Sequence, residues 1–391
     1  MRLPGPSEIF ALFDDARVRG AAPARLYRDP VGIIAAHRME EVQPALDRLA
    51  DARENGLHVA GYMTYEAGLA LEDRLAPVAA RAEAKGGAAP LLWFGLFEGV
   101  RLIAPGTLPD LLPDPAGASV TPPRPLIDEA EYRAAFDAVQ DYIRAGDIYQ
   151  ANLTFPCETR VSGDPMALYA AVRPRAAAGY GGVIRTGGQA LLSFSPELFF
   201  TLVRGQLTAR PMKGTATRHA DPQQDTALAQ WLQSDAKQRA ENLMIVDLLR
   251  NDLSRVSRAG SVTVPDLFKV ESYPTVHQLV STVRARILPG LSPVDVLRVL
   301  FPCGSITGAP KVRAMEILDA LEPHARGVYT GSMGWIDPDG DAAFNVAIRT
   351  LTIDEGAGVG RLGLGSGLVV DSEAGSEWAE CLAKGRFLAG A

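Results

Sequence analysis

Two segments place carboxylates where their charge calls for an explanation. In Glu241-Asn-Leu-Met-Ile-Val-Asp-Leu-Leu-Arg-Asn-Asp252, positions 243–246 and 248–249 are apolar nearly all round a helix. This predicts a largely buried helix from about Asp235 to Val256. Glu241 lies one turn before Met244 and Ile245 on that apolar surface, and a carboxylate so placed needs an arginine or a metal beside it. The second segment is Glu373-Ala-Gly-Ser-Glu-Trp-Ala-Glu-Cys-Leu-Ala-Lys384, where Glu373, Glu377, Glu380 and Lys384 fall at i, i+4, i+7 and i+11 on one helix face. Like charges at this spacing repel. Either the face is solvated, with Glu380 and Lys384 paired on the surface, or two glutamates face a divalent cation. Oxygen donors without His or Cys would select Mg²⁺.

Two further runs add an amine and an anion site. Ser195-Pro-Glu197 is followed by Lys213 within Arg210-Pro-Met-Lys-Gly-Thr215, between strand-like or turn-like elements. Lys213 is either a surface lysine or, with a depressed pKa, a nucleophile. Gly304-Ser-Ile-Thr-Gly-Ala-Pro-Lys311 leads into a helix with Val312, Met315, Leu318 and Leu321 inward and Pro310 in its first turn. Its N-terminus is either an ordinary cap or a carboxylate-binding end. The chain has six lysines against thirty-three arginines, and Lys213, Lys311 and Lys384 all fall in these runs. The run at 304–311 lacks phosphate-loop spacing, and Gly363-Leu-Gly-Ser-Gly367 continues into a strand-like Leu368-Val-Val370 rather than a helix, so nucleotide binding is not expected.

The elements that must hold these groups follow from periodicity. Glu40–Glu54 reads as a helix, and Tyr132, Phe136, Val139 and Ile143 mark another that Gly146 ends. Residues 61–65, 91–97, 148–156, 190–194 and 197–202 read as strands. Ala104–Pro125 holds seven prolines and reads as a connection, dividing the chain into 1–103, 104–125 and 126–391. Strands and helices mix without a βαβ beat, which predicts an α+β protein with large, mostly antiparallel sheets and helices outside. A net charge of −7 without basic runs argues against nucleic acid and anionic membranes. Three scattered cysteines, no signal peptide and no apolar membrane span fit the cytoplasm.

In this order and number, the runs PMKGTATR, ENLMIVDLLRNDLSRV, VESYPTVHQLVST, GSITGAPKVRAMEILDALEP, NVAIRTL and GSGLVVDSEAGSEWAE resemble the chorismate-utilising enzymes. These include anthranilate, aminodeoxychorismate, isochorismate and salicylate synthases. Upstream, Gly61-Tyr-Met-Thr-Tyr-Glu-Ala-Gly68 looks like the N-terminal part of aminodeoxychorismate synthases. The resemblance implies a large α/β sandwich of two facing antiparallel-rich sheets with the site in the cleft between them. It implies that Glu241 and Glu380 ligate Mg²⁺, with Glu377 close by and acting through water. It implies that Tyr329, Arg349, Lys384 and the backbone around Gly365 and Gly367 hold the enolpyruvyl carboxylate. Ser305 and Thr307 would serve the ring carboxylate, with His277 near it.

Two positions separate the branches of the family. Members that add water at C2 carry a lysine where Gln150 stands here, and an amide cannot act as that base. Anthranilate synthases have Ala where Lys213 stands, and lysine there is the mark of the aminodeoxychorismate branch. The resemblance therefore implies amination of chorismate at C4 to 4-amino-4-deoxychorismate, the precursor of p-aminobenzoate in folate biosynthesis. Lys213 would be the nucleophile and Glu197 the acid. Anthranilate synthase component I and a catalytically silent chorismate-binding subunit remain the alternatives. No glutaminase chemistry is legible, so ammonia is expected from a glutamine amidotransferase partner, transiently bound, or from solution.

Overall fold

The computed structural model describes residues 2–85, 89–273 and 276–390. Within the run VESYPTVHQLVST, Pro274 and Thr275 thus lie outside the described residues. Among the described residues two antiparallel sheets form, of eleven and ten strands. At one edge of the eleven-stranded sheet the long strands Gln150–Gly163 and Val359–Leu368 pair over ten positions, from Val359 opposite Arg160 to Leu368 opposite Ala151. At one edge of the ten-stranded sheet Met212–Thr217 pairs with Val276–Arg286. The stretch before 104 feeds both sheets: Phe10–Asp14 pairs with Gly181–Arg185, and His58–Met63 with Ser332–Ile336.

Each sheet is covered by helices through its own apolar core. Glu129–Arg144 and Ala374–Lys384 cover the eleven-stranded sheet around Tyr132, Phe155 and Cys381. Met39–Glu54, Ala236–Ser254 and Pro293–Leu300 cover the other around Leu49, Leu249 and Leu297. A smaller cluster with Tyr27, Tyr62 and Ile184 joins elements of both sheets. The α+β sandwich expected from the sequence is present.

Two local expectations are corrected. The helix Ala236–Ser254 is not buried all round: Leu243 is 42% exposed and Asp247 and Arg250 face solvent, while Asn242, Ile245, Val246, Leu249 and Leu253 pack inward. Apolar periodicity cannot separate a fully buried helix from one that carries a spare leucine outside. Pro310 does not enter its helix but caps it, and Lys311 is the first helical residue.

Candidate active site

The site forms where the two sheet edges approach each other. Pairing slips between Met212 and Thr215, so Lys213 and Gly214 sit in a bulge of the strand Met212–Thr217. A bulge adds a residue to one strand and re-aims its side chains. Gly214 takes φ +98°, a conformation that disfavours any side chain, which explains glycine after the lysine. The aimed amine crosses to the opposite sheet: a Cβ placed on Gly367 would lie 2.6 Å from Lys213 Nζ and 2.9 Å from Gln150 Nε2. A side chain at Gly367 would push these two side-chain ends aside. Burial and the nearby Lys384 push the Lys213 amine below the ordinary lysine range, against the pull of Glu241, Glu197 and Glu380.

Glu197 enters from Ser195-Pro-Glu, where the Ser195 hydroxyl donates to Val346 O at 2.6 Å and accepts from the Glu197 N–H at 3.2 Å. The turn Gly304–Ile306 presents Ser305, whose hydroxyl donates to Glu197 Oε1 at 2.6 Å. Burial raises the Glu197 carboxyl to about 7 despite this bond and the charges of Lys213 and Lys384. A buried carboxyl that holds its proton near neutrality, close to an amine pushed towards its neutral form, is chemically able to serve as an acid paired with a nucleophile.

Lys384 donates to Gly365 O at 2.9 Å and pairs with Glu380 at 2.8 Å. The Glu380 side chain is 59% exposed at the rim of the site; the surrounding protein mass works against its charge, but Lys384 and Lys213 outweigh it and hold that carboxyl below its usual value. Glu377 accepts from Ser372 Oγ at 2.7 Å, while Glu373 stands exposed at the helix N-cap. The Glu241 carboxyl is raised by burial and by the like charges of Glu377 and Glu380, with Lys213 and Lys237 opposing. These three glutamates therefore share one electrostatic neighbourhood. Among the described residues no three His, Cys, Asp or Glu side chains close into a metal-holding group.

The remaining expected residues divide. The Tyr329 ring lies against Gly363, and burial raises its phenol. Arg349 sits at φ +48° with its guanidinium lowered by burial, and no carboxylate pairs with it among the described residues. That suits an anion from outside the protein. Thr307 is fully buried, its hydroxyl turned back on Gly304 O at 3.1 Å. His277 has both ring nitrogens engaged, by Asp225 at 3.0 Å and Ser272 at 2.8 Å. Thr307 and His277 thus reach protein partners rather than an open space. A cleft of about 680 Å³ between the sheets is lined by Tyr329 and Gly363 together with Thr154, Glu322 and Arg326. It does not include Lys213, Glu197, Glu241 or Glu380. The strand Val359–Leu368 lines the cleft with its first half and carries Gly365 and Gly367 in its second.

Sequence reasoning missed one group here. Asn242, fully buried, donates to Lys213 O at 3.3 Å and Leu279 O at 3.2 Å, so it braces the bulge. A polar residue inside an apolar helical run was the available signal. Gln150, already legible in the sequence, has an amide with neither end paired among the described residues, aimed at the same space as Lys213.

Aminodeoxychorismate synthase component 1 of Klebsiella aerogenes is 46% identical over 263 residues, covering 67% of this chain and 57% of that protein. Its Bacillus subtilis counterpart is 38% identical over 275 residues, covering 70% and 57%. The matched stretches thus span little more than half of those relatives. Anthranilate synthase component I from Streptococcus pneumoniae superposes with a TM-score of 0.78 at 26% identity, over 94% of this chain and 92% of that one. The menaquinone-specific isochorismate synthase of Escherichia coli, at 18% identity and a TM-score of 0.74 over 98% and 89%, shares the fold. Residues 11–390 match the family of chorismate binding enzymes, and the chain belongs to that family.

Proposed function

We propose that this chain aminates chorismate at C4, producing 4-amino-4-deoxychorismate and water, with ammonia supplied by a glutamine amidotransferase partner or from solution. The observation that carries the reading is the Lys213 amine, bulged towards Gly367 and depressed below its ordinary range in a site that also holds a protonatable Glu197. The neutral amine of Lys213 adds at C2, both ring double bonds shift (C1=C2 to C1=C6 and C5=C6 to C4=C5), and the C4–O bond breaks as Glu197 protonates the departing hydroxyl. Ammonia then adds at C4, both double bonds shift back, and the C2–N bond to Lys213 breaks. The proton shed by the incoming nitrogen restores Glu197. Arg349, Tyr329 and Lys384 are suited to the substrate carboxylates.

The hard oxygen donors of Glu241 and Glu380, with Glu377 near, fit Mg²⁺, which commonly takes one or two protein carboxylates. The raised Glu241 carboxyl among like charges supports this fit. When bound, the ion would neutralise these carboxylates and polarise a substrate carboxylate. The name "component 1" borne by the relatives supports a partner subunit. The test is incubation of the purified chain with chorismate, ammonium and Mg²⁺, followed by mass analysis of the product. 4-Amino-4-deoxychorismate supports the reading. Anthranilate would assign the chain to the sibling activity, and absence of turnover would make it a silent binding subunit.

A further inference from the structure

Arg326 lies outside the residues assigned to binding or chemistry, yet its guanidinium is only 2% exposed and every edge of it is engaged. Nε donates to Glu322 Oε2 at 2.8 Å and Nη2 to Glu322 Oε1 at 2.7 Å. Nη2 also reaches Asn152 O at 2.8 Å, while Nη1 reaches Ile306 O at 3.0 Å and Thr330 Oγ1 at 3.4 Å. The plane lies over the Tyr65 ring, 4.2 Å from its centroid. Glu322 offsets the buried charge and is itself held by the Thr154 N–H at 2.9 Å and hydroxyl at 3.0 Å.

Three of these partners adjoin site residues. Ile306 follows Ser305, whose hydroxyl holds Glu197. Thr330 follows Tyr329. Asn152 stands opposite Gly367 in the strand pairing, two residues from Gln150, and its N–H donates to Thr307 O at 2.8 Å. A guanidinium is planar and its donors diverge at fixed angles, so partners bound to one fork are fixed relative to one another. The turn bearing Ser305, the loop bearing Tyr329 and the strand facing Gly367 come from distant parts of the sequence and meet on this one group.

We propose that Arg326 is a positioning residue for the amination, holding the Ser305 turn, the Tyr329 loop and the strand opposite Gly367 in register so that Glu197 and Lys213 meet chorismate correctly aimed. The proposal rests on the functional reading above. It differs from a role in stability alone, because Glu66 grips the same loop, accepting from the Arg326 N–H at 2.6 Å and the Gly327 N–H at 3.1 Å, and among the described residues its carboxylate hydrogen-bonds neither Ile306 nor Asn152.

The experiment compares Arg326→Lys, Glu322→Gln and Glu66→Gln with wild type in thermal unfolding, chorismate KM and kcat for amination with ammonium. Lysine keeps the charge and loses the fork, so Arg326→Lys is expected to lose at least thirtyfold in kcat with KM raised less than fivefold. Glu322→Gln, which keeps the Thr154 acceptor while loosening the fork, is expected to lose about five- to tenfold in kcat. Glu66→Gln is expected to melt earlier with kcat within threefold of wild type. The proposal is overturned by a kcat within threefold of wild type in Arg326→Lys or, should that variant not fold, in Glu322→Gln. It is equally overturned if Glu66→Gln loses as much kcat as Arg326→Lys at the same loss of melting temperature. Wild type without amination product would remove the functional reading and this proposal with it, whereas an active wild type matched by active variants removes the proposal alone.

Discussion

The Ser305 hydroxyl donates to Glu197 Oε1 at 2.6 Å, joining a turn at residues 304–306 to a carboxyl more than a hundred residues earlier. That bond favours the charged carboxylate, while burial favours the acid and wins, leaving the group near 7. Removing the hydroxyl takes away that bond and leaves only the charges of Lys213 and Lys384 to favour the carboxylate. Ser305→Ala is therefore expected to move the alkaline limb of the pH–rate profile to higher pH, since Glu197 must carry its proton to act as the acid. An unmoved limb would detach Glu197 from that limb.

The same burial has a stability consequence of fixed sign. A carboxyl raised from 4.5 to about 7 holds its proton more tightly folded than unfolded. Its contribution is fully present below the ordinary carboxyl range and is lost as pH rises through about 7. Glu197→Gln mimics the protonated form. At pH 8 it should be more stable than wild type, by at most about 3 kcal/mol, while losing most of its turnover. Denaturant melts at pH 5 and pH 8 check this: the gain should shrink at the lower pH.

Asp225 gives the opposite sign. The Arg218 side chain, the His219 N–H and the His277 ring hold its carboxyl well below the usual carboxylate range, outweighing the cost of desolvation. This contribution to stability is present above the ordinary carboxyl value and is lost as pH falls below it. Asp225→Asn should lower the melting temperature at pH 7, with the difference from wild type narrowing towards pH 3. A constant difference would mean the loss comes from packing.

The bulge that aims Lys213 should not tolerate a side chain. A Cβ on Gly214 would lie 2.9 Å from Gln238 Oε1 at a φ of +98°. Gly214→Ala is expected to cost about 1–2 kcal/mol of stability. It should also lower kcat tenfold or more by turning the amine away from Gly367, with chorismate affinity changed less than threefold. Wild-type kcat in this variant would show that the bulge does not set the lysine's aim.

Metal dependence is expected from the carboxylates around Glu241. Mg²⁺ should raise the melting temperature of the chorismate-bound chain, since a ligand that binds only the folded state stabilises it. Glu241→Gln and Glu380→Ala should remove that shift and the turnover together. Full activity in excess chelator would contradict the assignment.

What was legible in the sequence was local. The helix Met39–Glu54 and the strand Leu92–Phe97 showed in periodicity, and Lys213 stood out through the family resemblance of PMKGTATR, since by its neighbours alone it reads equally as a surface lysine. What was not legible depends on long-range geometry. Nothing in the letters PMKG shows that the pairing with Val276–Arg286 slips there, yet the slip is what aims the amine. Arg326 looks like any arginine before a glycine until Asn152 and Ile306 arrive beside it from far along the chain. The helix carrying Glu241 misled because Leu243, an apolar residue left outside, is indistinguishable by type from one packed inside.

The most direct test of the account is Lys213→Ala, assayed by product analysis beside intact-protein mass of wild type stopped in mid-turnover. The Gly367 face, the glutamates and Arg349 are untouched in that variant, so chorismate should still bind. The account expects loss of 4-amino-4-deoxychorismate formation by at least a thousandfold, and a wild-type population heavier by chorismate less water, joined through the Lys213 nitrogen. A Lys213→Ala protein that still makes 4-amino-4-deoxychorismate at the wild-type rate would contradict it.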